Sequence, residues 1–340
     1  MMGDISDESL DYNNILGVNL KDISYFEAFN DLTNHLECIY HNEDSLIANF
    51  KTNKSNILII SANLCSLGDK LTNLTSTIDR YTIGGLLPDI LAVQEVWNHP
   101  SDSLGIKHFN LFTKQRTSRR GGGVGVYVRD TYNVKIIENA SIFEESVFES
   151  LALEVEFSTN VKFIIVSSYR PPNSPNITLE TQHDIYFKSL KKQLENLEKL
   201  KLPVFILTDS NIDLLKIETD SNSIRLVNGM AEYSYVNIVD KATRFANSSR
   251  TCIDQIWCNQ PQSVQKVGIC TDSLSDHFHT AALLGLNKDK KEQVVSLVKR
   301  KFNDKNVEKF KTALSSADWN VINEIEDTDL ACDSFLEIFF

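Results

Sequence analysis

Cysteine is scarce in this sequence and has no regular spacing. Six cysteines occur among 340 residues, and no two of them form a Cys-x-x-Cys pair. Disulfide scaffolds and zinc sites usually show closely and regularly spaced cysteines. The composition therefore argues against both, and it predicts free, buried thiols in a reducing compartment.

Long apolar runs are also missing. No stretch approaches the roughly 20 apolar residues that a membrane-spanning helix needs. The N-terminus, Met-Met-Gly-Asp-Ile-Ser-Asp-Glu, is acidic and lacks the basic and apolar regions of a secretory signal. We expect a soluble, intracellular protein without a membrane partner.

The chain also has no excess of positive charge, and its formal net charge is −12. Binding of nucleic acid needs positive surface, so this total at first argues against such a partner. However, residues 1–55 contribute −7 and residues 288–340 contribute −2, which leaves −3 for the middle of the chain. A nearly neutral domain with its carboxylates in one cleft can still present a basic rim.

Composition and periodicity divide the chain into three parts. Residues 1–55 are predicted to be an acidic, weakly ordered leader with one helix around 25–40 and no clear strand. Residues 56–287 carry many short apolar runs mixed with amphipathic stretches, which indicates one layered α/β or α+β domain. Residues 288–340 are predicted to form a helical linker toward a missing downstream domain, because the chain stops on an uncovered apolar segment.

Strand-length apolar runs dominate the middle part, and two helices are predicted between them, around Leu67–Ile78 and Tyr186–Leu197. The predicted strands are Ile57–Ile60, Asp89–Glu95, Val124–Val128, Leu151–Phe157, Val161–Tyr169, Val204–Thr208, Thr251–Trp257, Val264–Cys270 and His279–Leu286.

Several of these strands begin or end with polar residues that a buried strand does not need. Active sites of sheet proteins gather at strand ends, so these side chains are candidates for one common site. The candidates for catalysis are Asn63, Glu95, Tyr169, Asp209, Asn211, Asp254, Asp276 and His277.

These residue types suit the hydrolysis of a phosphodiester. A glutamate such as Glu95 suits Mg²⁺, which prefers one or two carboxylates and retains water ligands. Asp209 can take a proton from the attacking water, while Asn211 and Tyr169 can donate to phosphate oxygens. A buried aspartate such as Asp254 needs a partner, and it can hold a histidine in one tautomer and stabilise its cation.

The order of these residues resembles the endonuclease/exonuclease/phosphatase superfamily, which includes apurinic endonucleases and pancreatic deoxyribonuclease. Further motifs resemble the endonuclease domain of non-LTR (LINE-type, jockey-like) retrotransposons. They are Asn63-x-x-Ser66-Leu67, Pro88-Asp89-Ile90-Leu91-Ala92, Gln94-Glu95-x-Trp97, Arg120-Gly121-Gly122-Gly123-Val124, Tyr169-Arg170-Pro171-Pro172-Asn173 and Thr243-Arg244-Phe245.

The resemblance implies a four-layer sandwich, in which two mixed β-sheets pack face to face with helices on the outside. It implies Mg²⁺, or Mn²⁺, held by Glu95 with Asn63 and Asp276 nearby, and a histidine, His277, paired with Asp254. The implied role is to nick chromosomal DNA in the nucleus, leaving a 3′ hydroxyl that primes reverse transcription. A reverse transcriptase domain is the partner that this role requires.

Residues expected to contact DNA come from basic positions near the site and from the family motifs. They are Arg116, Arg119, Arg120, Arg170, Asn173, Thr243, Arg244 and Arg250. Two departures from the family pattern stand out. The chain has Thr208-Asp209-Ser210-Asn211 where the family usually has Gly-Asp-Phe-Asn, and Cys65 stands where a basic residue is frequent.

Two other functions remain open at this stage. The same fold hosts phosphatases of small phosphoesters and deadenylases, so fold alone does not identify a nuclease. A catalytically weak relic of a mobile element is the second alternative. The glycines at 121–123 lead into a strand instead of a helix, which argues against a dinucleotide site.

Overall fold

A computed structural model of the chain describes residues 33, 35–52, 56–158, 161–246, 249–272, 274–286, 304–325 and 327–339. The strands, numbered in chain order, are β1 Cys38–His41, β2 Ile57–Asn63, β3 Ile90–Gln94, β4 Phe109–Lys114, β5 Val124–Arg129, β6 Asn133–Ile136, β7 Phe143–Glu144, β8 Phe148–Ser158, β9 Val161–Tyr169, β10 Val204–Asp209, β11 Val236–Asn237, β12 Arg244–Ala246, β13 Ser249–Thr251, β14 Asp254–Cys258, β15 Val264–Cys270 and β16 His279–Leu284. The α-helices are α1 Glu43–Asn49, α2 Leu67–Ile83, α3 Leu179–Glu198, α4 Ser221–Ala231, α5 Asp304–Ser316, α6 Asn320–Asn323 and α7 Thr328–Phe339.

Two mixed sheets form the body of the fold. The first has the order β1-β15-β16-β2-β3-β5-β4, and the second has the order β11-β14-β10-β9-β8-β6, with β7 added to β8. Most pairs are antiparallel, but β1 with β15, β2 with β3 and β9 with β10 are parallel. The predicted fold class, a four-layer α/β sandwich, is confirmed.

The side chains of β2 alternate between the two hydrophobic cores of the fold. Ile57 and Ile59 belong to the core between the two sheets, whereas Leu58 and Ile60 belong to the core beneath the outer helix α2. Successive side chains of a strand point to opposite faces, so a strand that is covered on both faces is apolar throughout. This explains why β2 is a continuous apolar run in the sequence.

The predicted leader contains ordered elements, contrary to the expectation of no clear strand. Cys38–His41 forms β1, which pairs in parallel with β15 and extends the first sheet, and α1 follows at Glu43–Asn49. Four residues are too few for a periodic signal, which is why the pattern did not predict this strand. The predicted helix around 25–40 lies mostly outside the described residues, and its last residues belong to β1.

The C-terminal residues form a second unit, 295–340. Within it, α5 begins at Asp304, and the rings of Trp319 and Phe335 lie 5.9 Å apart between centroids. The charged segment 288–291 lies outside the described residues, so the predicted linker boundary stays a prediction. None of the helices that the structure describes is long and apolar enough to cross a membrane.

Candidate active site

The ends of four strands bring the predicted polar residues together. Asn63 ends β2, and Glu95 directly follows β3, its parallel neighbour. Tyr169 ends β9 and pairs in register with Asp209 at the end of β10. Asp209 in turn pairs with Asp254 at the start of the antiparallel strand β14. Strands that run in the same direction end at the same edge of a sheet, so these side chains meet there.

Asn63 links the two sheets at the centre of this cluster. Its amide nitrogen donates to Oε1 of Glu95 at 2.9 Å and to Oδ2 of Asp209 at 2.7 Å. Its oxygen accepts the backbone N–H of Cys65 at 3.0 Å. Asn63 therefore orients both carboxylates through its nitrogen. It was predicted as a metal ligand through its oxygen, and that role stays a prediction.

His277 is held by a buried aspartate, as the sequence predicted. Its Nδ1 lies 3.0 Å from both carboxylate oxygens of Asp254 and 3.9 Å from Oδ2 of Asp209. The hydroxyl of Thr243 donates to Oδ2 of Asp254 at 2.7 Å and accepts the backbone N–H of the same residue. Asp254 is thus anchored on one side while it fixes the imidazole on the other.

The carboxylates around His277 favour its protonated form. Burial by itself lowers the pKa of His277, but the charges of Asp254, Asp209 and Asp276 oppose it and raise the pKa to about 9. Burial, and next the charge of Asp254, raise the pKa of Asp209 to about 7. Near pH 8 the site therefore combines an imidazolium with an ionised Asp209, which is the protonation state of a general base beside a cation.

Tyr169 and Asn211 lie beside these groups as neutral donors. Tyr169 is 5% exposed, and burial, with the charges of Glu95 and Asp209, raises the pKa of its phenol far above the ordinary value. Asn211 donates its side-chain nitrogen to the carbonyl of Arg170 at 2.9 Å. Both side chains keep their protons at neutral pH and can donate to phosphate oxygens.

The backbone is strained in the turns that carry the site. Cys65, Ser66, Glu95, Trp97 and Asn211 all adopt positive φ, between 47° and 97°. Such conformations disfavour residues other than glycine, and they persist only where the surrounding structure imposes them. Five of the ten non-glycine residues with positive φ in the described part of the chain thus lie in the three turns that carry the polar cluster.

The thiol of Cys65 lies between the two carboxylates that were predicted to hold a metal ion. Its Sγ is 4.0 Å from Oε1 of Glu95 and 3.7 Å from Oδ1 of Asp276. The other oxygen of Glu95 accepts the indole N–H of Trp97 at 3.1 Å, which fixes its orientation. Carboxylates are the usual protein ligands of magnesium, and the predicted role of Glu95 and Asp276 as such ligands stays a prediction.

Arg116 does not face DNA, contrary to the expectation from the sequence. Its side chain is buried and pairs with the fully buried Glu149, with Nε and Oε1 2.5 Å apart. The second oxygen of Glu149 accepts the N–H of Gly123, and the guanidinium lies directly against Gly122, where a Cβ would collide with it. Because Gly122 accepts the backbone N–H of Trp97, this ion pair supports the turn that carries Glu95.

We expect Arg116→Ala to destabilise the protein by about 3–5 kcal/mol, because it leaves the carboxylate of Glu149 buried without its cation. Urea unfolding followed by circular dichroism measures this loss. Arg119→Ala is the matched control, since Arg119 is exposed and its removal should change the unfolding free energy by no more than about 0.5 kcal/mol. Equal effects of the two substitutions would contradict a structural role for Arg116.

Two more of the expected DNA contacts are also buried. Arg170 is 2% exposed, and its Nη1 donates to the backbone carbonyl of Ser210 at 3.2 Å, which ties β9 to the turn after β10. Thr243 is fully buried beneath Asp254. These residues position the catalytic groups and are not available to DNA. They were expected to contact DNA because, in a sequence, an arginine or threonine that binds DNA cannot be distinguished from one that supports a catalytic residue.

The remaining expected contacts lie at the surface. Arg119, Arg120, Asn173 and Arg250 are exposed, and Arg244 is half-buried with an ion pair to Asp276. The guanidinium of Arg120 stacks over the ring of Trp97, 4.8 Å from its centroid. Both border a cavity of about 480 Å³, lined by Trp97, Asn98, His99, Thr117, Ser118, Arg119 and Arg120.

One edge of the two-sheet sandwich thus carries a buried carboxylate–histidine pair, further carboxylates and neutral hydrogen-bond donors. These groups suit the hydrolysis of a phosphoester. The chain belongs to the Endonuclease/Exonuclease/phosphatase family, whose sequence profile matches residues 60–277, more than half of its length. Members of this family are hydrolases that act on phosphodiester bonds and depend on divalent metal ions.

Solved structures agree on the fold at low sequence identity. The AP endonuclease LMAP from Leishmania major is similar with a TM-score of 0.58 and 10% identity, over 77% of this chain and 98% of that one. The endonuclease domain of TRAS1, a telomere-specific non-LTR retrotransposon, gives 0.52 and 15%, over 68% and 100%. The catalytic domain of Xenopus laevis APE2 gives 0.51 and 15%, over 69% and 94%. A search of curated protein sequences found no significant match.

Proposed function

We propose that this protein is an endonuclease that nicks DNA with Mg²⁺, for which Mn²⁺ can substitute. The observation that carries the proposal is that Glu95 and Asp209 share the side-chain amide of Asn63, while the Asp254–His277 pair lies beside Asp209. These groups come from both sheets and from positions 63–277 of the sequence. Each of them has a use in phosphodiester hydrolysis.

Asp209 acts as the general base, because its carboxylate is ionised above about pH 7 and can take the proton of the attacking water. The imidazolium of His277 neutralises the charge that builds up on the phosphate. Tyr169 and Asn211 donate to non-bridging oxygens. Glu95, with Asp276 nearby, would hold the metal ion, which would provide a Lewis acid for the phosphoryl oxygen.

The cavity beside Trp97 favours a nucleic acid over a small phosphoester. Trp97 contacts Glu95 through its indole N–H, so the cavity lies next to the proposed metal site. It combines an aromatic face with two exposed arginines, Arg119 and Arg120, which suits the stacking and backbone contacts of a nucleotide beside the cleaved bond. A small phosphoester has no second nucleotide to place there.

Replacing Arg119 and Arg120 by Ala should weaken DNA binding and reduce its salt dependence. Each phosphate contact contributes about 0.9 to the slope of log K against log salt concentration, so the double variant should lose up to about 1.8 of that slope. Fluorescence anisotropy of a labelled duplex at several salt concentrations, with EDTA to prevent cleavage, measures it. Lys188→Ala with Lys191→Ala, on α3, is the charge-matched control. An unchanged slope in the arginine variant would remove these residues from the interface.

We further propose that the protein derives from a non-LTR retrotransposon. The motifs around Asn63, Glu95, Tyr169 and Thr243 support this origin, and the TRAS1 endonuclease domain has a similar fold. In this role the nick exposes a 3′ hydroxyl for a reverse transcriptase domain, and the protein acts in the nucleus.

Nicking of supercoiled plasmid, compared with phosphate release from inositol phosphates, tests the substrate class. We expect open-circular DNA in Mg²⁺, none in EDTA, and no phosphate release. A polymerase should extend the nicks without prior treatment, because the cleavage leaves a 3′ hydroxyl. Release of phosphate without nicking would instead favour a phosphatase, and the absence of both activities would favour a relic.

A further inference from the structure

The thiol of Cys65 stands within the proposed metal site. Cys65 lies in the turn that follows β2. Its Sγ lies 3.7 Å from Oδ1 of Asp276 and 4.0 Å from Oε1 of Glu95. The residue is half-buried with positive φ, so the turn directs the thiol at the carboxylates and leaves it accessible from solvent.

The imidazole of His277 completes a set of three different ligand types. Its Nε2 lies 4.0 Å from Oδ1 of Asp276, and these atoms and Sγ of Cys65 all lie within 4.8 Å of one another. Asp254 holds Nδ1, which orients Nε2 toward the set as carboxylates orient histidine ligands of metals. Arg244 binds only Oδ2 of Asp276, so Oδ1 is the oxygen that faces the thiol and the imidazole.

The separation of the thiol and the carboxylate suits a tetrahedral ion, whereas Nε2 of His277, 4.0 Å from Oδ1 of Asp276, must approach by about 0.6 Å to reach the roughly 3.4 Å of a zinc site. Zn–S of 2.3 Å and Zn–O of 2.0–2.2 Å at a tetrahedral angle place sulfur and oxygen about 3.6 Å apart. The observed separation of Cys65 Sγ and Asp276 Oδ1 is 3.7 Å. Sulfur and imidazole nitrogen are ligands that zinc prefers and magnesium does not, whereas Glu95 and Asp276 alone suit magnesium.

We infer that Cys65, Asp276 and His277 form a zinc site that overlaps the catalytic centre, and that zinc bound there inhibits the enzyme. Binding replaces the thiol proton and the Nε2 proton of the imidazolium, both of which pass to solvent, with a metal–sulfur and a metal–nitrogen bond. It also occupies the imidazole nitrogen that would otherwise face the phosphate, and it withdraws Asp276 from magnesium. The binding site follows from the side chains alone, while its inhibitory effect rests on the proposed nuclease function.

Cadmium is the probe for the site, because a thiolate–cadmium bond absorbs in the ultraviolet and magnesium produces no such band. One equivalent of Cd²⁺ should produce the band in the unmodified chain, and Cys65→Ser should abolish it. Cys332→Ser removes an exposed thiol elsewhere and should retain the band. Asp276→Asn should weaken Cd²⁺ binding by about 10-fold or more. No band in the unmodified protein, or an equal band in Cys65→Ser, would overturn the inference.

Inhibition by Zn²⁺ is measured separately, at constant Mg²⁺, on supercoiled plasmid. Each variant is normalised to its own rate without zinc, so a change in basal activity does not enter the comparison. The half-inhibiting Zn²⁺ concentration should rise by about 10-fold or more in Cys65→Ser and stay unchanged in Cys332→Ser. Equal inhibition of both variants would place the inhibitory site elsewhere. A cadmium band in a protein without nuclease activity would refute the proposed function and leave the zinc site standing.

Discussion

His277→Ala is expected to lower the rate of plasmid nicking by about 10²–10⁴-fold, the usual cost of losing a proton-transfer or charge-stabilising group. The substitution removes the one side chain that Asp254 holds at 3.0 Å, and with it the cation that faces the phosphate. Single-turnover nicking at saturating Mg²⁺ and pH 8 gives this rate directly. DNA affinity in EDTA should change little, because the histidine is buried and acts on the reacting phosphate.

His108→Ala is the control for this substitution. His108 is an exposed histidine whose only described ion pair is a 3.9 Å contact with Asp130. Its removal should leave the nicking rate and the unfolding free energy essentially unchanged. If His277→Ala nicks as fast as His108→Ala while both remain folded, His277 has no part in the reaction.

Asp209→Ala should cost a similar factor, about 10²–10⁴, because the attacking water loses its general base. It should also change the shape of the pH profile. In the unmodified protein the rate should rise as pH passes about 7, where Asp209 ionises, and fall as pH passes about 9, where His277 loses its proton. The two groups interact, so these values belong to the cluster as a whole.

The variant should lack the rise near pH 7, since the group that ionises there is gone. Rates measured from pH 5.5 to 10 in overlapping buffers at constant ionic strength test this. Asp213→Ala is a useful comparison, because Asp213 lies in the next turn, where it accepts the backbone N–H of Cys252, and touches no catalytic group. If the nicking rate of Asp209→Ala still rises near pH 7, another residue acts as the general base.

The layout of the fold and the site was largely readable from the sequence. Buried strands such as β2 and β10 are continuous apolar runs, and a polar residue at the end of such a run has no packing reason to be there. Asn63 and Asp209 stood out for that reason. Asp254 stood out because a carboxylate in a buried strand needs a partner, and the structure supplies His277.

The roles of several supporting residues were not readable in the same way. Whether an arginine binds DNA or a buried carboxylate depends on the partner that folding brings to it. For Arg116 that partner is Glu149, 33 residues away in sequence. Thr243 likewise gains its role only when its hydroxyl meets Asp254. Strand β1 was missed because its stability comes from pairing with β15 at a distance of more than 200 residues.

A comparison of four nicking rates tests whether these side chains form one reaction centre. The rates are those of the unmodified protein, Asp209→Ala, His277→Ala and the double variant, all at one Mg²⁺ concentration. Groups that act as a unit give non-additive losses, so the double variant should be hardly slower than the slower single variant. Losses that multiply would mean that the two residues act independently. An unmodified protein that nicks no faster than the double variant would mean that the site does not cut DNA.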